Sequence, residues 1–118
     1  MAASSGLDKE NNMGYSEQLI QQVWEKARAN ADINADLWRE DECGAWINRQ
    51  YYGNTDSDFG WKIVNVTPGE PDTMENLRPF HHRNAYDLAN QKAKCHVTAD
   101  RTGLATFEHT FQPRNRNI

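Results

Sequence analysis

The segment 59–90 constrains the fold more than any other part of the chain, because patterns for a strand, a loop, a second strand and a helix follow one another in it. Residues 61–66 alternate with the two-residue period of a β-strand, in a run rich in β-branched side chains. Pro68 ends this strand, since proline has no N–H to donate to a sheet. The next residues, up to Asp72, are typical of turns. The sequence therefore predicts a strand followed by a long loop.

A very short strand and a helix are predicted after this loop. Residues 76–78 form the strand, and Pro79 closes it. From about Arg83 to Ala93 the chain has few helix breakers, and its small and apolar side chains, Leu88 among them, fall at helical spacing. The segment thus predicts the order strand, strand, helix.

This segment resembles the HNH endonuclease family, whose fold is the ββα-metal finger. Three ordered pieces carry the resemblance: GWKIVNVTP at 60–68, NLRPF at 76–80 and HHRNAYDL at 81–88. An upstream stretch at 38–47 is similar to the lead-in of small phage and bacterial members. The resemblance spans roughly 23–93 and implies that this part of the chain folds around a ββα core.

The residues that give the family its chemistry are replaced at the matched positions. The metal-binding Asp falls on Val64, and the His that acts as general base falls on Asn65. The ligand that opens the helix falls on Ala85, and the helix lysine falls on Leu88. Valine and alanine offer a cation no lone pair, and an Asn amide is not a base near neutral pH. We therefore expect no metal, no cofactor and no catalytic residue at these positions.

Polar side chains near these positions remain as candidates for a residual binding site: Asn65, Asn76, His81, His82 and Asn84. In the family, the residue matched by Asn76 mainly shapes the loop. His81 and His82 are adjacent, so their side chains point in different directions. We interpret both histidines first as capping or surface residues, with residual metal binding together with Asn65 as the alternative.

An N-terminal helix is predicted from Ser16 to near Asn30. Ser16 is a suitable N-cap, and Glu17 faces the positive end of the helix dipole. One apolar face follows at helical spacing and consists of Leu19, Ile20, Val23, Trp24 and Ala27. This face predicts packing against the core, with binding of a partner as the alternative.

Further strands are expected on both sides of the ββα segment. Residues 45–52 have strand character and pair most simply with 59–66. Residues 95–99 and 104–111 form a C-terminal β-hairpin around a turn at 100–103. The predicted fold class is α+β: an N-terminal helix, an HNH-like ββα core and a C-terminal β-hairpin.

The predicted domain organisation has three parts. Residues 1–14 form a disordered tail, 15–112 form a single HNH-like domain, and 113–118 form a flexible tail. One apolar cluster is expected at the centre of the domain. Its predicted members are Trp24, Trp61, Ile63, Leu77, Phe80 and Leu88.

Charge is unevenly distributed along the chain. The net charge is −4 in total, with −6 on residues 1–59 and +2 on residues 60–118. A protein that grips phosphates needs a basic face. The acidic first half therefore disfavours tight nucleic-acid binding and favours a protein as the partner.

The two cysteines, Cys43 and Cys95, are too few for a disulfide scaffold, and they form no C-x-x-C pair. We interpret them as reduced thiols, one or both of them buried, with a bridge between them as the alternative. No apolar run is long enough to span a membrane, and the N-terminus lacks the apolar region of a secretory signal. The expected location is the cytoplasm of a bacterial or phage-infected cell.

These observations favour a non-catalytic, nuclease-related binding module, which acts as an inhibitor or accessory protein of phage origin. The alternative is a metal-dependent nuclease with a relocated site built from His81, His82, Asn84 and Asp87. A third class is a structural protein that oligomerises without a specific ligand.

Overall fold

The computed structural model of the protein describes residues 14–102 and 112–118. In these residues one short helix is combined with four antiparallel two-stranded ribbons. The elements are α1 (Glu17–Trp24), β1 (Trp38–Glu40), β2 (Trp46–Asn48), β3 (Trp61–Asn65), β4 (Leu77–His81), β5 (Ala85–Asp87), β6 (Lys92–Lys94), β7 (Val97–Ala99) and β8 (Asn115–Asn117). Each odd-numbered strand pairs with the strand that follows it. A 3-10 turn, Arg49–Tyr51, follows β2.

The predicted α+β fold with a ββα core is wrong, because the helix expected at 83–93 is a β-hairpin. β5 pairs with β6, so that Ala85 lies opposite Lys94. At the tip, the Asp87 carboxylate accepts hydrogen bonds from the backbone N–H and the side-chain amide of Asn90, at 3.2 and 2.7 Å. Gln91 turns back with a φ of 56°. Local capping of this kind competes with helix formation, and Leu88, the main apolar side chain of the predicted helix, is 49% exposed.

The N-terminal helix is present but shorter than predicted. The Ser16 hydroxyl caps it by accepting the Leu19 N–H at 3.1 Å, and Ile20, Val23 and Trp24 are fully buried. The helix ends at Trp24 because the following residues join a strand. Arg28 and Glu40 exchange two backbone hydrogen bonds of 2.8 and 2.9 Å.

The predicted hairpin of 45–52 with 59–66 is also wrong. β2 pairs with β1, and its continuation curls into the 3-10 turn, so only isolated contacts reach the second segment. These contacts are a bond from the Asn48 N–H to the Phe59 carbonyl and a parallel bridge between Tyr52 and Trp61. β3 pairs instead with the strand after the long loop.

β4 continues through Pro79, which was predicted to close it. Bonds from the Val66 N–H to the Asn76 carbonyl and from the His82 N–H to the Gly60 carbonyl flank the β3–β4 ladder. Hydrogen-bonded pairs alternate with other pairs in an antiparallel ladder, so Pro79 opposite Ile63 occupies a position where no N–H is required.

The outer edge of β4 is protected by its neighbours. The Lys26 ammonium donates to the Leu77 carbonyl at 2.5 Å, and the Asp41 carboxylate accepts the His81 N–H at 2.9 Å. Pro79, between them, has no N–H to offer. Edge strands closed in this way do not recruit further strands.

The predicted apolar cluster is confirmed for four of its six members. Trp24, Trp61, Ile63 and Leu77 pack in one buried cluster, and the rings of Trp24 and Trp61 lie 5.3 Å apart. Phe80 is buried but lies on the opposite face of β4, near Tyr86. Leu88 is exposed, which follows from the hairpin that replaces the helix.

The prediction of two reduced thiols is wrong. Cys43 and Cys95 form a disulfide, with their Cα atoms 5.5 Å apart. Just after Cys95, β7 pairs with β8, which lies inside the stretch 113–118 that was predicted as a tail. The predicted partner strand at 104–111 lies outside the described residues, as does most of the tail at 1–14.

Candidate functional site

The five candidate residues lie at two separate ends of the β3–β4 ribbon. Asn65 and Asn76 are at one end, where Asn65 is paired with Leu77. His81, His82 and Asn84 are at the other end, where His81 is paired with Trp61. The ribbon contains five residue pairs. Its first and last pairs are four residues apart, which is roughly 13 Å at the usual rise of a strand. The structure therefore does not bring the candidates together in one site.

Asn65 and Asn76 hold the loop between β3 and β4. The Asn65 amide donates to the Asp72 carboxylate at 2.8 Å, and its oxygen accepts the Thr67 N–H at 2.8 Å. The Asn76 amide donates to the Pro71 carbonyl at 2.9 Å. Both side chains thus shape the loop, which is the role that the resemblance implied for Asn76.

Asn84 is fully buried, and both ends of its amide are used. Its Nδ2 donates to the Asp41 carboxylate at 2.9 Å and to the Val97 carbonyl at 3.0 Å. Its oxygen accepts the N–H groups of His96 and Val97 at 2.7 and 2.8 Å. An amide with two donors and two acceptor lone pairs has no hydrogen-bonding capacity left for a ligand.

Asp41, which the sequence did not single out, lies at the centre of this end. One carboxylate oxygen accepts the N–H groups of Cys43 and Ala45, both at 2.9 Å. The other accepts the His81 N–H and the Asn84 amide, both at 2.9 Å. We call Asp41, His81 and Asn84 the Asp41 network. The sequence signal for Asp41 is an acid two residues before Cys43-Gly44, a spacing typical of a side chain that caps a turn.

His81 is fully buried, and its ring is used on both sides. Nε2 lies 2.7 Å from the Asp58 carbonyl and donates to it, while Nδ1 accepts the Arg83 N–H at 3.1 Å. These partners fix the neutral tautomer with its proton on Nε2. Burial is the main cause that lowers the pKa of His81 below its usual value. The ring therefore has no lone pair available for a substrate or a metal.

His82 is only half-buried, and it stacks on His81 with ring centroids 4.5 Å apart. Its Nε2 lies 2.9 Å from the Ser57 carbonyl. Both histidines thus connect the segment before the β5–β6 hairpin to the loop at 57–58. The stack contradicts the expectation that the two side chains point in different directions, and His81 is fully buried instead of lying at the surface. Their bonds to backbone groups nevertheless make both histidines structural contacts.

The other positions that the sequence singled out, Val64, Ala85 and Asp87, lie in the strands of the two ribbons. Val64 is paired with Arg78 across the ribbon, and Ala85 with Lys94. Asp87, part of the relocated nuclease site, caps the hairpin tip, and the hydrogen bonds from Asn90 lower its pKa. Within 14–102 and 112–118, no three His, Cys, Asp or Glu side chains are grouped so that they can hold a metal ion.

A surface groove lies beside the β5–β6 hairpin, on the outer side of the β3–β4 ribbon. Its volume is about 420 Å³. It is lined by Val66, Thr67, Pro68, Arg78, Tyr86, Leu88 and Gln91, and we call it the Tyr86 groove. The Arg78 guanidinium lies 5.3 Å from the Tyr86 ring centroid, in cation–π geometry. Apolar side chains and one cation are therefore presented together at the surface.

A second, more highly charged cleft of about 240 Å³ lies along the protected edge of β4. Its charged groups are matched to neighbours. Arg28 pairs with Glu40 at 3.3 Å, and Arg78 pairs with Glu42 at 3.0 Å. Lys26 donates to the carbonyls of Met74 and Leu77. These pairs hold the helix side of the protein against β4.

Comparisons with protein-family models, curated proteins and solved structures give no significant match to this chain. The resemblance to HNH endonucleases therefore stays a prediction based on the motif residues. No helix among the described residues is long and apolar enough to cross a membrane.

Proposed function

We propose that the protein is a binding module for another protein and carries out no catalysis of its own. The observation that carries this proposal is the use of the candidate side chains inside the fold. All donors and acceptors of the Asn84 side-chain amide are hydrogen-bonded within the protein. His81 likewise has a protein partner at each ring nitrogen. A general base needs a lone pair within reach of a substrate proton. The inhibitor or accessory role predicted from the sequence fits this use.

A protein partner fits the surface better than a nucleic acid does. The net charge is −4, and four described arginines form ion pairs with glutamates: Arg28, Arg49, Arg78 and Arg101. A nucleic acid presents a continuous row of phosphates and needs a broad basic face, which an excess of acidic side chains disfavours. Exposed apolar side chains beside an aromatic ring, as in the Tyr86 groove, are typical of surfaces that bind proteins.

The disulfide bears on where this binding takes place. The sequence favoured the cytoplasm, whereas the bond between Cys43 and Cys95 is typical of proteins from oxidising compartments. We therefore propose that the protein acts where thiols are oxidised. Trapping free thiols with a mass-tagged maleimide directly after cell lysis tests this: untagged cysteines support it, and two tags contradict it.

The absence of catalysis is tested with nucleic-acid substrates. Supercoiled plasmid, linear duplex, single-stranded DNA and RNA are each incubated with Mg²⁺, Mn²⁺, Ni²⁺ or Zn²⁺. We expect no cleavage above the buffer background. Cleavage that co-purifies with the protein and disappears in His82→Ala would contradict the proposal and support a relocated nuclease site, because His82 is the more exposed of the two histidines.

The binding function is tested by affinity capture from an extract of the source cells, followed by reconstitution. Folded protein and protein denatured after disulfide reduction are immobilised in parallel. We expect a protein that is retained only by the folded form and that binds again, at a fixed ratio, when both components are purified and titrated in a calorimeter. Retention of nucleic acid alone, or self-association without any other component, would contradict the proposal.

A further inference from the structure

The β3–β4 ribbon has a second face, turned away from the cluster of Trp24 and Trp61, on which Phe80 is buried and Lys62 is half-buried. Side chains alternate along a strand, so Trp61 and Ile63 face the core while Lys62 and Val64 face outwards. The register places Phe80 opposite Lys62 and Arg78 opposite Val64. Lys62 and Arg78 are therefore diagonal neighbours on the outer face, next to the Tyr86 groove, of which Arg78 is a wall.

Lys62 is a half-buried cation without a partner among the described residues. Its ammonium makes no hydrogen bond or ion pair with any of them, and burial alone lowers its pKa. Lys26, in contrast, donates to two carbonyls. A charge that has lost part of its hydration without gaining a partner costs free energy. An anion placed beside Lys62 would recover that cost.

Arg78 adds a second cation, only part of which is used. Both of its hydrogen bonds to Glu42, at 3.2 and 3.0 Å, come from Nη1. A guanidinium carries five N–H donors in a planar fork, so donors remain on Nε and Nη2. The guanidinium also contacts the Tyr86 ring. Its bonds to Glu42 and this contact hold it near the groove.

The acidic side chains around this face are directed elsewhere. Asp72 accepts bonds from Asn65 and Tyr15, on the core side of the ribbon. Asp87 is used at the hairpin tip by Asn90. Glu42 is already paired with Arg78. The outer face therefore presents positive charge at Lys62 beside a groove with several apolar walls, although the protein as a whole is acidic.

We propose that the outer face of the β3–β4 ribbon binds an acidic segment of the partner protein. A carboxylate of that segment lies beside Lys62 and Arg78, and a neighbouring apolar side chain enters the Tyr86 groove against Tyr86 and Leu88. Charge complementarity selects this occupant, because the anion satisfies Lys62 and the groove offers Val66, Pro68 and Leu88 to an apolar side chain. This inference rests on the proposed function as a protein-binding module.

The experiment is a selection of random linear peptides displayed on phage against the immobilised, disulfide-bonded protein. We expect the selected peptides to carry Asp or Glu within a few residues of Leu, Phe or Trp. The peptides are then synthesised with a fluorescent label, and their dissociation constants are measured by anisotropy. Labelled duplex and single-stranded DNA are titrated in the same way, and we expect them to bind far more weakly.

Two matched pairs of variants locate the binding face. Lys62→Met removes the ammonium and keeps the aliphatic stem, while Lys92→Met makes the same change at an exposed lysine opposite Asp87. We expect the first to weaken peptide binding by about tenfold or more, and the second to leave it unchanged. Leu88→Ser should weaken binding by about tenfold, and Tyr51→Ser, at another exposed apolar side chain, should not.

Thermal unfolding separates lost binding from lost folding. Lys62→Met should melt at the same or a higher temperature than the wild type, because it removes a partly desolvated charge. Selected peptides that are basic, or that bind Lys62→Met and Leu88→Ser as tightly as the wild type, would overturn this docking face while leaving the binding function intact. Displacement of the peptides by DNA at equal concentration would overturn it in favour of a nucleic-acid surface. Failure of both peptide selection and protein capture would count against the proposed function itself.

Discussion

Asp41 and Asn84 are 43 residues apart in the chain, and the Asn84 amide donates to the Asp41 carboxylate at 2.9 Å in the interior. The same carboxylate oxygen accepts the backbone N–H of His81. This pair therefore connects the turn after β1, the end of β4 and the start of β7. A buried carboxylate is stable only when its oxygens are satisfied, and here each oxygen accepts two bonds.

The first prediction concerns this carboxylate. Asp41→Asn exchanges one acceptor oxygen for an NH₂ group that faces protein N–H donors, so it leaves buried donors unpaired. We expect the free energy of unfolding to fall by about 2–4 kcal/mol, measured by urea denaturation. Asp56→Asn, at an exposed acid, is the matched control and should change the stability by about 0.5 kcal/mol or less. Equal effects of the two changes would contradict the structural role of Asp41.

The second prediction compares Trp24 and Trp61, whose rings are neighbours in the core. The Trp24 indole N–H donates to the Ala35 carbonyl at 3.1 Å, whereas the buried Trp61 indole N–H has no hydrogen-bond partner among the described residues. Replacement by Phe removes a satisfied donor at the first position and an unsatisfied one at the second. We expect Trp24→Phe to destabilise the protein by about 1–2 kcal/mol more than Trp61→Phe does. Urea denaturation at fixed pH measures the difference, and a larger loss for Trp61→Phe would contradict this assignment.

The sequence predicted where single elements form better than it predicted which strands pair with each other. The capped apolar face of α1 and the strand at 61–65 were visible because both depend on short-range periodicity. The pairing of β3 with β4 across a long loop leaves no such signal. The segment 83–93 was mistaken for a helix, since Asp87 and Asn90 cap a turn there only through a side-chain geometry that spacing does not show.

The candidate site was predictable only in part, for a related reason. Asn76 was expected to shape the loop, as it does, whereas Asn84 was expected only as a member of one candidate site together with Asn76 and the two histidines. This grouping fails because neighbours in sequence can lie at opposite ends of an extended ribbon. Asp41 was missed since its partners lie about forty residues downstream. Within 14–102 and 112–118, the lack of a partner for Lys62 is a property of the folded surface, and no pattern in the chain could have revealed it.

The third prediction concerns the disulfide. It closes a loop with a sequence separation of 52 residues, and loop-closure entropy gives a contribution of about 4 kcal/mol to stability. The double variant Cys43→Ser with Cys95→Ser should lose a comparable amount, within a range of about 2–5 kcal/mol, measured by urea denaturation. The wild type in a strong reductant serves as the control and should match the variant. Unchanged stability in both would show that the bond contributes nothing to the fold.

The last prediction is a dependence of stability on pH through His81. Burial is the main cause that lowers the pKa of His81 in the folded protein. The hydrogen bond to the Asp58 carbonyl and the charges of the Asp41 and Asp58 carboxylates oppose this shift, and His82 adds to it. Below a pH of about 6.5, the usual value for an unfolded histidine, the unfolded chain therefore binds more protons than the folded one. The contribution of neutral His81 to the free energy of unfolding is fully present above that pH. It is lost progressively as the pH falls towards the lower pKa of His81 in the folded protein.

Protonation also has a direct structural cost, because a proton on Nδ1 would face the Arg83 N–H that this atom now accepts. The measurement is the free energy of unfolding in urea at a series of pH values from neutral to mildly acidic. We expect the slope between about pH 6.5 and 5 to be reduced in His81→Gln, which keeps a donor for the Asp58 carbonyl but does not titrate. His96→Gln, at an exposed histidine, is the control and should keep the slope of the wild type. A slope that persists in His81→Gln and disappears in the control would assign the pH dependence to the surface instead of the Asp41 network.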